Sequence, residues 1–317
     1  MPVTIKQIAA ELGVSPAVVS LALNGSPLVA VKTRDRVLAL AKRLDYVPNN
    51  FGRGLQSRRS HLLGYMLTGI TASFFNEILQ GAGLAAADAN YGLLTGWIKD
   101  SDQEQLEHQL QIMLEKNIDG LILSIREPLF RPFVAKLKQR KIPFVFCSTY
   151  FGDEYPLVIT DNFRGGYLAA DHLLRSGHRR LLCCDSDSHR LAGNLAAAQA
   201  YPDACAFTFS DPIQVPTLLR EKNATAVVAY ADLQAADIID ILRKDRIRVP
   251  EDVSLVGFDD IWLAARPEFG LTTVAQQKTQ LGAEAVNALL AMIGGDSAHA
   301  RILLEPHLVE RRTVARR

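Results

Sequence analysis

The sequence predicts a small all-α helix-turn-helix head joined to a larger α/β core of two lobes, each a parallel sheet flanked by helices. Three observations carry that prediction. Residues 4–45 hold three short amphipathic helical patterns, no clear strand, and a Gly between the first two helices. From Leu62 onward, apolar runs of strand length alternate with helical stretches such as 74–90 and 103–116, the βαβα order of parallel sheets covered on both faces. Some nine or ten strands, over about 250 residues, suit two lobes better than one sheet.

Each head element has a local cause. Thr4 can cap a helix over 5–12, with Ile5, Ile8, Ala9 and Leu12 on one face. Gly13 can take the positive φ of a tight turn. Ser15 can cap the next helix, and Pro16 suits its first position, where the missing N–H is not needed. Val19, Ala22 and Leu23 make its inner face. Thr33 is expected to cap a third helix over 34–44, with Val37, Leu40, Ala41 and Leu44 inward. The stretch "YVPNNFGRGLQSRRSH" has little periodicity and reads as a linker. In the core, "LLGYML", "GLLTGWI", "GLILSI", "PFVFCS", "LVITD", "RRLLCC", "ACAFTF", "TAVVAY" and "VSLVGF" read as strands.

Charge is unevenly placed. The net charge is +1, but residues 1–60 carry nine Lys or Arg against three Asp or Glu, a surplus of +6 that leaves −5 for the rest. A basic head on an acidic body points to a polyanionic partner; a solvated basic surface is the plain alternative. The four Cys (Cys147, Cys183, Cys184, Cys205) show no metal spacing and read as reduced thiols. There is no apolar signal core and no run of ~18 apolar residues, so no membrane partner and a cytoplasmic, nucleoid-associated protein are expected. No Gly-rich phosphate loop, GxSxG or His-metal spacing is present, so no catalytic residue, cofactor or metal is assigned and an enzyme is not expected.

The segments "VTIKQIAAELGVSPAVVSLALNG", "VKTRDRVLALAKRLDYVPN", "HLLGYM", "FFNEILQG", "NIDGLIL", "DNFRGGYLAADHLLRSGHRR", "VPEDVSLVGFDD", "LTTV" and "LVERRT" resemble, in order and spacing, the LacI/GalR family of bacterial transcription regulators over essentially the whole chain. The resemblance implies a DNA-binding head (1–46), a hinge (47–60) and a periplasmic-binding-protein-like core (61–317). One lobe would run over about 61–160 plus 276–295, the other over about 161–275 plus 296–317. It further implies a dimer on a pseudo-palindromic operator, repression, and a small effector between the lobes: a sugar, polyol or nucleoside. The chain ends without apolar heptads, so a dimer without a coiled-coil tetramer is expected. A ligand-binding protein or a sugar-acting enzyme without a DNA role is the alternative.

Carried over residue by residue, Pro16, Ala17 and Leu21 match the base-facing positions. The usual polar residue is absent at Leu21, so contact with thymine methyls is expected, against the alternative that Leu21 packs into the head core. Thr4, Ser15, Ser20, Asn24, Thr33 and Tyr46 fall where the family contacts phosphates, and Lys6 where a base or a phosphate is touched. Asn49, Arg53 and Leu55 match the hinge, Leu55 as its minor-groove wedge; Gly52 and Gly54 weaken that hinge helix. Strand ends that would face an effector give Ser124, Ser148, Asp161, Asp232 and Asp259. Arg190 matches the effector-clamping Arg, Asp259 the acid that takes paired hydroxyls, and Phe74 and Phe75 ring-stacking aromatics. Ala231 stands where the family has Asn, and Asn194 where an aromatic is typical, which leaves an atypical effector or a lost response.

Overall fold

The computed structural model describes residues 3–46, 59–68, 72–99, 102–125, 130–152, 154–296 and 301–317. They fall into two compact units, residues 1–60 and 61–317.

The first unit holds α1 (Ile5–Leu12), α2 (Pro16–Leu23) and α3 (Val31–Arg43). Thr4 and Gln7 form a reciprocal capping box: the Thr4 hydroxyl accepts from the Gln7 N–H, and the Gln7 side chain accepts from the Thr4 N–H. Gly13 closes α1 at φ +67°, a left-handed conformation that costs Gly little. The Ser15 hydroxyl accepts from the Val18 N–H, with Pro16 in the first turn. Ile8, Ala9, Val19, Ala22, Val29, Val37, Leu40 and Ala41 make the core, and Ile5, Leu12, Leu23 and Leu44 pack around it.

The third helix departs from expectation. It starts at Val31 and is preceded by Ala30, with no side-chain cap. Thr33 lies inside the first turn, where its N–H and that of Arg34 both bond to the Ala30 carbonyl. The entry is set by burial instead. Val29 is locked in the core, and the Arg34 guanidinium donates to the Ser26 and Val29 carbonyls.

The second unit has two six-stranded sheets. The first is built from β1 (Leu62–Thr68), β2 (Gly92–Ile98), β3 (Gly120–Ser124), β4 (Phe144–Cys147), β5 (Leu157–Thr160) and β11 (Arg301–Leu304), in the order β11-β5-β4-β3-β1-β2, with every pairing parallel. The second comprises β6 (Arg180–Cys184), β7 (Cys205–Phe209), β8 (Ala226–Val228), β9 (Ser254–Asp259), β10 (Thr272–Ala275) and β12 (His307–Val309), in the order β12-β10-β9-β8-β6-β7. Only β12 runs antiparallel. Three strands, β10, β11 and β12, lie outside the nine apolar runs, because they are short and, in β11 and β12, half exposed.

Helices cover both sheets: α4 (Ala72–Asp88), α5 (Gln103–Glu115), α6 (Phe130–Gln139) and α11 (Lys278–Ile293) on the first, and α7 (Asn162–Arg175), α8 (Ser188–Gln199), α9 (Val215–Lys222) and α10 (Asp232–Lys244) on the second. The chain crosses between lobes three times. After α11 it stays in the first lobe for β11, which pairs with β5. The last crossing therefore follows Leu304, and the expected assignment of 301–304 to the second lobe is corrected: the apolar Leu304 is buried in the first lobe's core. No single described helix is long and apolar enough to cross a membrane.

Candidate functional site

On the head, α2 turns Pro16 and Ala17 fully outward, with Ser20 and Leu21 half exposed and Asn24 exposed at the helix end. Leu21 also packs on the head core, so its inner side is structural and its outer side open. Thr4, Ser15 and Lys6 are exposed, Thr33 and Tyr46 half buried. Asn49, Arg53 and Leu55 lie outside the described residues, as do Gly52 and Gly54. Sequence reading missed Leu28, which is 83% exposed in the loop after α2. An apolar loop residue has no periodicity to mark it.

In the core, both sheets change winding direction beside a cleft. β1 has β3 on one side and β2 on the other, and β6 likewise separates β8 from β7. Such switch points open crevices at the carboxyl ends of strands. Thr68 and Ser124, ending β1 and β3, line a cavity of about 550 Å3, as do Tyr230 and Ala231 after β8 and the Ser186–Arg190 segment after β6. Of the expected effector residues, Phe74, Phe75, Ser124, Ser148, Asp161, Arg190 and Asp259 are brought together here.

Arg190 is held firmly. It sits in the first turn of α8, where the Asp187 carboxylate accepts its N–H and that of His189. Gly166 and Gly193 let α7 and α8 touch backbone to backbone; a Cβ on Gly166 would strike the Arg190 carbonyl. Its Nε donates to Asn162 Oδ1 at 2.8 Å and its Nη1 to the Tyr230 carbonyl at 2.6 Å. The guanidinium lies 3.7 Å from the Phe258 ring centroid, a cation–π contact that fixes its plane. The rest of the fork remains available to a ligand.

Asp259 ends β9 at φ +108°, a rare conformation for a residue with a Cβ. Gln276 Nε2 donates to its Oδ1 at 2.6 Å, and Thr160 Oγ1 donates to Gln276 Oε1. Burial pushes the Asp259 carboxyl up to about 6, against the downward pull of Arg190, the Gln276 bond and Lys278. At neutral pH it is an ionised acceptor beside a cation, suited to hydroxyls that donate and accept.

The other expected residues differ in role. Asp161 caps α7 through the Arg164 N–H while lining the cleft. Ser124 is nearly buried; its hydroxyl donates to the Cys147 carbonyl and pairs with the Tyr65 hydroxyl, so it forms the floor. Ser148 lines the wall at φ +58°. Phe74 and Phe75 meet edge to face, 5.2 Å apart, and both face the cavity as well as the first lobe's core.

Asp232 is corrected. It is wholly buried and does not line the cavity. Its Oδ2 accepts from the Ile261 N–H at 2.8 Å and its Oδ1 from Thr273 Oγ1 at 2.6 Å. Burial, then the nearby Asp259 charge, push its carboxyl up to about 8. As the first residue of α10 it turns inward onto β9 and β10, leaving Tyr230 and Ala231 to face the cleft.

Sequence reading missed Asn162, Tyr230, Gln276, Tyr150 and His189. Asn162 follows a capping acid, and Gln276 stands just beyond "LTTV", so position relative to a strand end marks both. Tyr150 and His189 meet across the cavity from opposite lobes, ring centroids 4.7 Å apart, and only the tertiary fold pairs them. Among the described residues, no His, Cys, Asp or Glu group is arranged to hold a metal ion, and the four Cys are free.

Both units of the chain resemble known proteins. Residues 4–49 match the bacterial regulatory proteins of the lacI family, and residues 170–314 match the periplasmic binding protein-like domain. The chain is 30% identical over 332 residues to the HTH-type transcriptional repressor PurR of Photobacterium profundum, covering 98% of each. Its fold is similar to that of the lac repressor dimer bound to operator and the anti-inducer ONPF, with TM-score 0.86 and 24% identity over 99% of this chain and 100% of the other. The transcriptional regulator CelR–cellobiose complex aligns with TM-score 0.73 and 26% identity over 98% and 99% of the two chains. With a capped helix-turn-helix and a two-lobed core that match relatives end to end, the chain belongs to the lacI family of bacterial regulatory proteins, and it is a DNA-binding transcriptional regulator.

Proposed function

We propose that the protein represses transcription in the cytoplasm as a homodimer on a pseudo-palindromic operator, and that a neutral polyol, a sugar above all, binds between the lobes and shifts DNA affinity. The observation that carries the effector class is the Arg190–Asp259 pair. One clamped guanidinium and one ionised carboxylate face a cavity walled by Phe74 and Phe75. That combination favours rings bearing hydroxyls, because hydroxyls satisfy both a donor and an acceptor while a ring face stacks on an aromatic. The cavity lies within the ~300–1,000 Å3 of small-molecule sites. The cellobiose complex of a related regulator supports the same class. Calorimetry against sugars, polyols and nucleosides tests it: a sugar or polyol is expected to bind, and a binder that is an anion, or no binder, overturns it.

Residues 1–46 are assigned to DNA binding, 47–60 to the hinge and 61–317 to effector binding and dimerisation. Pro16, Ala17 and the open side of Leu21 read thymine methyls, which need no hydrogen bond. Thr4, Ser15, Ser20, Asn24, Thr33 and Tyr46 contribute phosphate contacts that set register, and Lys6 a contact to a base or a phosphate, with Asn49, Arg53 and Leu55 in the hinge. Binding-site selection is expected to return T at the half-site positions facing α2; a required G overturns that reading. Leu84, 59% exposed on α4, and Trp97, 39% exposed on the edge strand β2, support a first-lobe dimer contact. Light scattering of Trp97→Asp is expected to show monomers where the parent shows dimers. The protein is assigned no catalytic role.

A further inference from the structure

Lys278 is a buried cation at the wrong end of a helix. It is the first residue of α11, where the helix dipole disfavours positive charge, and it is only 5% exposed. Gln277 before it provides no side-chain cap. Its ammonium has three donors, and three acceptors meet it: the Asp259 carbonyl at 2.8 Å, the Asp260 carbonyl at 2.7 Å and Glu77 Oε1 at 3.2 Å.

Those partners come from both lobes. Asp259 and Asp260 stand in the second lobe at φ +108° and +50°. Two successive side-chain-bearing residues at positive φ persist only where the surroundings enforce them. Here the enforcement is visible. Lys278 draws both carbonyls to one point, Arg311 Nη2 donates to the Asp260 carboxylate at 2.7 Å, and Asp232 takes the next N–H, that of Ile261. Glu77 belongs to the first lobe, on α4, one turn beyond Phe74.

We propose that Lys278 is the positioning residue for the cleft carboxylate: it holds the Asp259–Asp260 turn so that the Asp259 side chain faces the cavity, and it ties that turn to Glu77 on the helix carrying the aromatic wall. This rests on reading the cleft as the effector site, yet its mechanism concerns the Asp259 turn itself. The joint gives lobe movement a direct mechanical link to both halves of the ligand site.

The charged and titratable groups around Asp259 are Arg190 from α8, Lys278 from α11, the Asp232 carboxyl from α10, which burial keeps neutral at pH 7, and Asp260 beside it, the last paired with Arg311; Glu77 from α4 faces the ammonium. Removing only the Lys278 charge must therefore raise the Asp259 titration. The test is carboxyl 13C NMR on the full-length protein labelled at Asp, with Asp259→Asn for assignment. Lys278→Gln is expected to raise the Asp259 titration by about one unit, the lower range for a nearby opposite charge. Lys278→Arg, which keeps charge and donors, is expected to restore most of that shift. An unmoved titration in Lys278→Gln, or an equal displacement in Lys278→Arg, overturns the proposal. Should Lys278→Gln not fold, Glu77→Gln tests the joint from the other lobe: hydrogen exchange across residues 259–261 is expected to speed up several-fold, and unchanged exchange overturns the tie. None of these readings needs an effector. A cleft that binds no polyol while Lys278 still sets Asp259 would defeat the sugar reading alone.

Discussion

Asp232→Asn is expected to stabilise the protein, most at alkaline pH. Asp232 is fully buried, and its carboxyl is pushed from its ordinary 3.8 up to about 8. A pKa raised in the folded state means that folding is favoured when the group is protonated, so stability is fully present below the unfolded pKa and is lost as pH rises through the folded one. Each unit is worth ~1.4 kcal/mol, so holding Asp232 neutral at pH 7 costs at most roughly 4 kcal/mol. Relaxation of the site shrinks this, and about 1–3 kcal/mol is expected. Asparagine fits the same partners: its Oδ1 can accept from the Ile261 N–H, and its amide can donate to Thr273 Oγ1, the two groups that hold the carboxyl now. Asp259, which is also raised, to about 6, is present in both proteins and largely cancels. The assay is urea unfolding of parent and variant at pH 5, 6, 7 and 8. The advantage of the variant should be small at pH 5 and grow with pH. A difference flat across that range, or a variant less stable at pH 8, would refute the argument. Effector binding should survive the change, since Asp232 does not line the cavity.

Three further outcomes follow from the two surfaces. The Asp259 carboxyl, pushed up by burial to about 6, becomes part donor on protonation and loses its charge, so, on the proposed role of Asp259 in holding paired hydroxyls, effector affinity should fall as pH drops through 6, by up to about tenfold per unit; calorimetry at pH 7.5 and 5 reads this, and Asp259→Asn should bind weakly at both. Leu21→Arg should move the preferred half-site base from T to G, a change on the order of 1–3 kcal/mol for a bidentate contact, read by binding-site selection. Ser15→Ala removes the side-chain cap of α2 and should destabilise that helix by about 1 kcal/mol; faster hydrogen exchange at the first turn of α2 is the check, and unchanged exchange counts against the cap.

How far the sequence is readable depends on how local each cause is. Thr4, Gly13, Ser15 and Pro16 act within a turn of their own positions, so the head is legible except at Thr33, where burial of Val29 decides the helix start. The cleft is legible wherever a residue simply ends a strand, as Ser124 and Asp259 do. It fails at Asp232, which has the same signature, an acid after an apolar run, but begins a helix and turns inward, so one position separates the cavity-lining Ala231 from a core group. Tyr150 and His189 meet only because two lobes face each other, and no spacing records that. Lys278 is the instructive case. It was not singled out from sequence, yet a cation in the first position of an uncapped helix violates the dipole preference. Such local conflicts are retained where something else repays them. In this chain the compensation is two carbonyls and a carboxylate drawn from both lobes. Once the helix start is known, the broken helix rule marks one of the places where the two lobes touch.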